Sequence, residues 1–164
     1  MGADIHMSII RDKKYVEKEI FDGRDSEWFD NLCGLGWDNV YDTLPVEDGI
    51  PDLCPEQIKE DKMKEGYSCF KWIPVVDMIK WLRDKRPWID AGWATSYEKW
   101  NYEVRGIVNE DGFPHFKPND SNEPYYFISY KKEHDCSKWL FDYLTKMYPQ
   151  DYSGNDILIY YFDY

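Results

Sequence analysis

At 164 residues, 43% of them hydrophobic, the chain is long enough to bury a core and too apolar to be wholly disordered. A net charge of -12 disfavours general binding to nucleic-acid phosphates, so no direct nucleic-acid partner is expected. No apolar run approaches the ~20 residues that cross a bilayer, and the first residues lack a signal peptide's basic and apolar regions, so a cytoplasmic protein is expected.

Residues 3–10 alternate Asp4, His6 and Ser8 with Ile5, Met7 and Ile9, the period-two pattern of a β-strand with one apolar and one polar face. A turn at 11–14 leads to a second strand over 15–21, completing a hairpin. Asp25 or Ser26 caps a short helix whose inner face is Trp28, Phe29, Leu32 and Cys33, with Gly34 as its stop. From 36 to 55 there is no periodicity, and a long surface loop is expected. A polar helix spans 55–66 with Pro55 near its first position, Gly66 as its stop and a solvated charged face. A strand over 67–73 runs into a helix over 74–86, with Pro74 at its start and Val75, Val76, Ile79 and Leu82 inward.

Between 87 and 105 helix and strand both fit, and Ser96 offers a cap if a helix starts there. A strand follows at 125–132, then an amphipathic helix at 135–148 that buries Trp139, Leu140, Tyr143, Leu144 and Met147. The apolar run from Ile157 to Phe162 suits a central strand covered on both faces. Together these elements predict one α+β domain over 1–164, with helices packed over a mainly antiparallel sheet. Its terminal strands are expected to be neighbours, because the helix at 135–148 must cover them both.

MGADIHMSII, RDSEWFDNL and LIYYFDY resemble a family of small phage and prophage proteins. Its members begin Met-Gly-Cys-Asp-Ile-His and end on an aromatic-Phe-Asp-Asn step. Arg24, Asp25, Phe29 and Leu32 match the family's helix element. Ala3 stands where the family has cysteine, Tyr67-Ser68-Cys69 where many relatives have a His-Ser step, and Ile157 where an Arg is common. The resemblance implies phage origin and expression in the host cytoplasm, with no particular reaction.

Asp4 and His6 lie about 6–7 Å apart on one strand face. They share a ligand more readily than they form a metal site, which would need a third ligand from Asp163, His115 or His134. The bland alternative is a satisfied, partly buried histidine held by Asp4, Asp163 or backbone. Cys33, Cys54, Cys69 and Cys136 have no CxxC spacing and read as free thiols, and Gly34 and Gly36 lack the third glycine of a dinucleotide fingerprint. No metal and no cofactor are expected. His6 is the candidate acid or base if there is catalysis, although the balance leans against an enzyme.

The abundance of rings, with 8 Trp, 14 Tyr and 8 Phe, favours a binding module. Its expected ligand-binding residues are Asp4, His6, Arg24, Trp37, Tyr41, Ser68 and Asp163. The leading expectation is a phage counter-defence protein that sequesters a nucleotide-derived immune signal. The alternatives are an acidic inhibitor or DNA mimic that blocks a host defence protein, and a phosphodiesterase-type hydrolase using His6. Exposed rings also suggest a homodimer.

Overall fold

The computed structural model describes residues 4–21, 23–34, 43–85, 87–109, 111–119, 122–133 and 135–163. In chain order the elements are β1 (Asp4–Arg11), β2 (Lys14–Glu17), α1 (Ser26–Leu32), β3 (Glu47–Asp48), α2 (Glu56–Lys62) and β4 (Tyr67–Pro74). They continue with α3 (Val75–Lys85), β5 (Pro87–Thr95), α4 (Ser96–Arg105), β6 (Tyr125–Glu133), α5 (Asp135–Met147) and β7 (Ile157–Asp163). Contacts group the chain into two compact units: Met1–Lys85 with Asp135–Tyr164, and Arg86–His134.

The larger unit is an α+β layer built on a five-stranded sheet of order β2-β1-β7-β4-β3, antiparallel at every pair. The terminal strands are neighbours, with Asp4 opposite Asp163 and Ile10 opposite Ile157. β7 is central, and Ile157 through Phe162 are all buried. A strand covered on both faces has no solvated side, which is why its sequence does not alternate. On one face Met7, Ile9, Leu158, Tyr160 and Phe162 pack against Trp28 and Phe29 of α1, Met78 and Leu82 of α3, and Leu140 and Leu144 of α5. On the other, Ile10, Ile157, Ile159, Tyr161 and Phe70 meet Cys54 and Ile58 beneath α2.

Several boundaries differ from the sequence reading, each for a local reason. β2 stops at Glu17, and Glu19 turns the chain at a φ of 49°. The two-residue β3 lies within the expected loop, paired to Trp72 and Lys71, and is too short to leave a periodic signal. α2 is shorter than expected: Pro55 is its N-cap at ψ 150°, and the helix ends at Lys62. Pro74 ends β4, and α3 begins at Val75, whose N–H is taken by the Asp156 carbonyl. Trp81 and Met78 line its buried side more fully than Val76 and Ile79.

In the smaller unit the ambiguous stretch is strand then helix. β5 and β6 form a two-stranded ribbon, and Thr95, not Ser96, caps α4. Thr95 and Glu98 bond each other's backbone N–H reciprocally, a capping box written in the sequence as Thr-Ser-Tyr-Glu. Ala94, Phe113 and Tyr130 make its core. Gly92 is required there, since a Cβ would fall 2.5 Å from the Phe113 carbonyl oxygen.

One polar knot ties the larger unit together. The Asp156 carboxylate, 1% exposed, accepts from Arg11 Nε (2.6 Å) and Nη2 (2.8 Å) and from the Tyr148 hydroxyl (2.5 Å). It thereby joins the end of β1, the end of α5 and the approach to β7. Burial opposes ionisation of Asp156, but the bonds from Arg11 and Tyr148 outweigh it and hold the carboxyl below its ordinary 3.8. A depressed carboxyl stabilises the fold above its unfolded pKa and loses that contribution as pH falls through the folded value. Asp156→Asn is therefore expected to cost about 2 kcal/mol at pH 7, discounted for the exposed Arg11. Its melting temperature should fall less than the wild type's between pH 5 and pH 2, as checked by calorimetry.

Candidate functional site

Along the polar face of β1, Asp4 is exposed, His6 half-buried and Ser8 buried. Strand pairing sets Asp4, Asp163 and Tyr67 in one row across β1, β7 and β4, and His6 beside Tyr161 in the adjacent β1–β7 pairs. Residues opposite one another in antiparallel strands share a face, so these side chains converge without any loop being needed to bring them together.

The His6 ring lies 5.0 Å from Tyr161 at 18° and 5.7 Å from Tyr67 at 24°. The two tyrosine centroids are 6.0 Å apart, so the three rings form a triangle rather than a sandwich. Tyr161 stacks in turn on Phe70 at 4.4 Å, and its hydroxyl donates to Asp61 Oδ2 at 3.0 Å. Burial pushes the Tyr161 hydroxyl well up, and the Asp61 carboxylate adds to the shift. Burial opposes the charge of Asp61 itself, but donors from Lys64, Tyr161 and Gln57 bring its carboxyl below the usual range. Lys64 also lies over the Tyr67 ring at 5.6 Å. Burial, and then the hydrogen bond with Asp163, raise the Tyr67 hydroxyl.

Glu19 fixes one edge of the imidazole. Its backbone N–H donates to Ser8 Oγ at 3.0 Å, and its carboxylate lies 3.2 Å from His6 Nδ1. A carboxylate only accepts, so Nδ1 carries a proton, and in the neutral form of such a ring Nε2 holds a lone pair. Nε2 is buried and has no hydrogen-bond partner among the described residues; Asp163 Oδ2, itself an acceptor, lies 3.8 Å away. A buried acceptor left without a donor is costly, and such a group calls for an explanation.

Of the residues singled out from sequence, Asp4, His6, Arg24 and Asp163 come together. Arg24 Nε bonds Asp4 Oδ1 at 2.5 Å, placed there by Asp25, which caps α1 by accepting from the Trp28 N–H at 2.9 Å. That pair engages Arg24 with a carboxylate rather than leaving it open to a phosphate. Ser68 sits apart. It pairs with Phe162, and a bulge in β4 with Cys69 at φ 56° turns it into a separate cleft of about 510 Å³ with Lys62 and Lys71. Trp37 and Tyr41 lie outside the described residues. Glu19, Tyr67, Tyr161 and Asp61 were missed. Tyr161 shares the spacing of Asp163 and was open to detection, whereas Glu19 depends on a backbone turn that no motif announces.

Among the described residues, no group of three His, Cys, Asp or Glu side chains has metal-holding geometry, and no helix is long and apolar enough to cross a membrane. None of the four cysteines forms a disulfide; burial pushes Cys54 up to about 11 and Cys136 up to about 12, which leaves both poor nucleophiles. No family model, curated protein or solved structure matches the chain.

The Glu19 contact makes a spectroscopic prediction. At pH 8 a long-range proton–nitrogen correlation spectrum should show His6 as the Nδ1–H tautomer. Glu19→Ala should shift the population toward Nε2–H, the form in which Nε2 can donate to Asp163.

Proposed function

We propose that this chain binds a nucleotide-derived small molecule and holds it unchanged, with the ribose against His6 and Asp163. The observation that carries this reading is the buried Nε2 atom of His6, without a hydrogen-bond partner among the described residues and 3.8 Å from the Asp163 carboxylate; in this reading the ring is neutral and Nε2 accepts. Two adjacent acceptors call for a ligand with two adjacent donors, and the vicinal hydroxyls of a ribose supply them; a carboxylate on ribose hydroxyls is a recurrent nucleotide contact. Asp163 stands at the end of β7 and is 31% exposed, so in this reading its side chain turns aside to admit the sugar. The rings of Tyr67 and Tyr161 offer the apolar wall, and phosphates point away from the carboxylates of Asp4, Glu19 and Asp163 toward Lys62. The resemblance of both chain ends to small phage proteins supports a setting in the host cytoplasm, where sequestering a nucleotide immune signal protects the phage.

The same electrostatics speak against the hydrolase reading, which needs a phosphate beside His6 amid three carboxylates. The acidic-inhibitor reading draws on the net charge of -12, most of which the larger unit carries.

Thermal shift and calorimetry against ribonucleosides, cyclic dinucleotides and ADP-ribose derivatives decide among the three. Sequestration predicts a ribose-dependent rise in melting temperature, ligand recovered intact after denaturation, and affinity at least about tenfold weaker in His6→Phe. Recovery of cleaved ligand supports the hydrolase. No response to any nucleotide contradicts the proposal and leaves the acidic inhibitor.

A further inference from the structure

α3 and α5 pack against each other, and a cleft of about 330 Å³ lies along their junction, lined from both helices and from the segment after α5. Val76, Ile79 and Arg83 recur at the three- and four-residue spacing that sets them on one face of α3, and all three line it. Val76 and Ile79 read from sequence as core residues; in the fold they stay half-buried, with this cleft before them. Another wall is made by Tyr148 and Tyr152, whose ring centroids are 4.6 Å apart. Hydrogen bonds hold that wall in place: the Tyr148 hydroxyl donates to the Asp156 carboxylate, and the Tyr152 hydroxyl accepts from the Asp156 N–H at 3.2 Å. The charge of the cleft runs against that of the chain. The molecule has 32 acidic residues, yet none of those lining the cleft is Asp or Glu. Asp156 lies behind the tyrosines, 1% exposed and held by Arg11. Arg83 is exposed, its guanidinium 6.0 Å from the centre of the Phe141 ring, and no ion pair engages it among the described residues.

We propose that this cleft binds a small monocarboxylate with an apolar body. The body lies against Val76, Ile79 and the tyrosine rings, and the carboxylate takes two parallel N–H bonds from Arg83, the pairing that a planar guanidinium fork fits best. The single cation sets the charge of the ligand: a phosphate dianion calls for a second positive group, and the lining holds none. Arg83 also stands in the last turn of α3, where the negative end of the helix dipole opposes any further negative charge. The volume is at the lower end of the roughly 300–1,000 Å³ usual for small-molecule sites, so the ligand is short. Binding it removes from water the apolar surface of Val76 and Ile79 that folding leaves half-buried. α3 and α5 cover the face of the sheet opposite to that of Tyr161, so this site is separate from the one at His6 and rests on different residues.

Amide and methyl spectra of the full chain, titrated with phenylbutyrate and with the matching uncharged alcohol, phenylbutanol, test this. The acid should saturate shifts at Val76, Ile79 and Arg83 below millimolar concentration. The alcohol, with the same apolar body, should bind at least about tenfold more weakly. Arg83→Met should lose about the same factor for the acid and leave the alcohol unchanged, while Arg83→Lys keeps part of the acid's affinity. The comparison of acid with alcohol on the wild type needs no variant, so it decides the matter if Arg83→Met fails to fold. An acid that leaves these resonances in place at millimolar concentration, an alcohol that binds as tightly as the acid, or a folded Arg83→Met chain with undiminished affinity for the acid would each overturn the proposal. Phenylbutyrate carries no ribose, so a failure of nucleotide binding at His6 leaves this result readable.

Discussion

The arrangement turns on β7 being buried on both faces in the middle of the sheet. Burying a large apolar side chain contributes roughly 2 kcal/mol, and six consecutive buried positions leave this strand no freedom of register. A slip of one residue would turn Tyr161 toward α1 and Phe162 toward α2. Fixed in this way, β7 delivers its last polar residue, Asp163, between Asp4 on one neighbour and Tyr67 on the other. Asp156 secures the strand's approach with Arg11 and Tyr148, so both ends of β7 are held by charged or hydroxyl groups while its middle is dry.

This geometry explains why the His6 neighbourhood is rich in acceptors. Asp4 and Asp163 are opposite each other by register, and Glu19 arrives through the turn after β2. Arg24 neutralises Asp4, and Lys64 neutralises Asp61, but the described residues set no lysine or arginine beside Glu19 and Asp163. Within a few ångströms and partly out of water, a phosphate placed there meets strong repulsion. A neutral donor such as a sugar hydroxyl meets two acceptors instead. The chemistry of the site thus favours the uncharged part of a nucleotide, and the clefts that hold lysines lie beyond Tyr67.

Much of this was legible in the residues. The alternation of Asp4, His6 and Ser8 with apolar partners gave β1 its polar face, and the unbroken Ile157–Phe162 run placed β7 at the centre. What was not legible involves interactions without a local signature. β3 exists because β4 offers it an edge, and Glu19 reaches His6 through a single left-handed residue. The grouping into two units leaves no mark in composition, since the junctions read Lys85-Arg86-Pro87 and Glu133-His134-Asp135, with no glycine-rich or serine-rich linker. The capping box at Thr95 is written in the sequence one residue ahead of Ser96, whose hydroxyl makes it an equally plausible cap by residue type.

The central claim is that a ligand hydroxyl donates to His6 Nε2. Nitrogen-15 spectra of His6, recorded while the protein is saturated with the ribonucleotide that most raises its melting temperature, test it directly. The Nε2 resonance should move upfield as its lone pair accepts a hydrogen bond, and the 2′,3′-dideoxy analogue should leave it in place. An Nε2 resonance that stays unchanged at full saturation with the ribonucleotide would contradict the account.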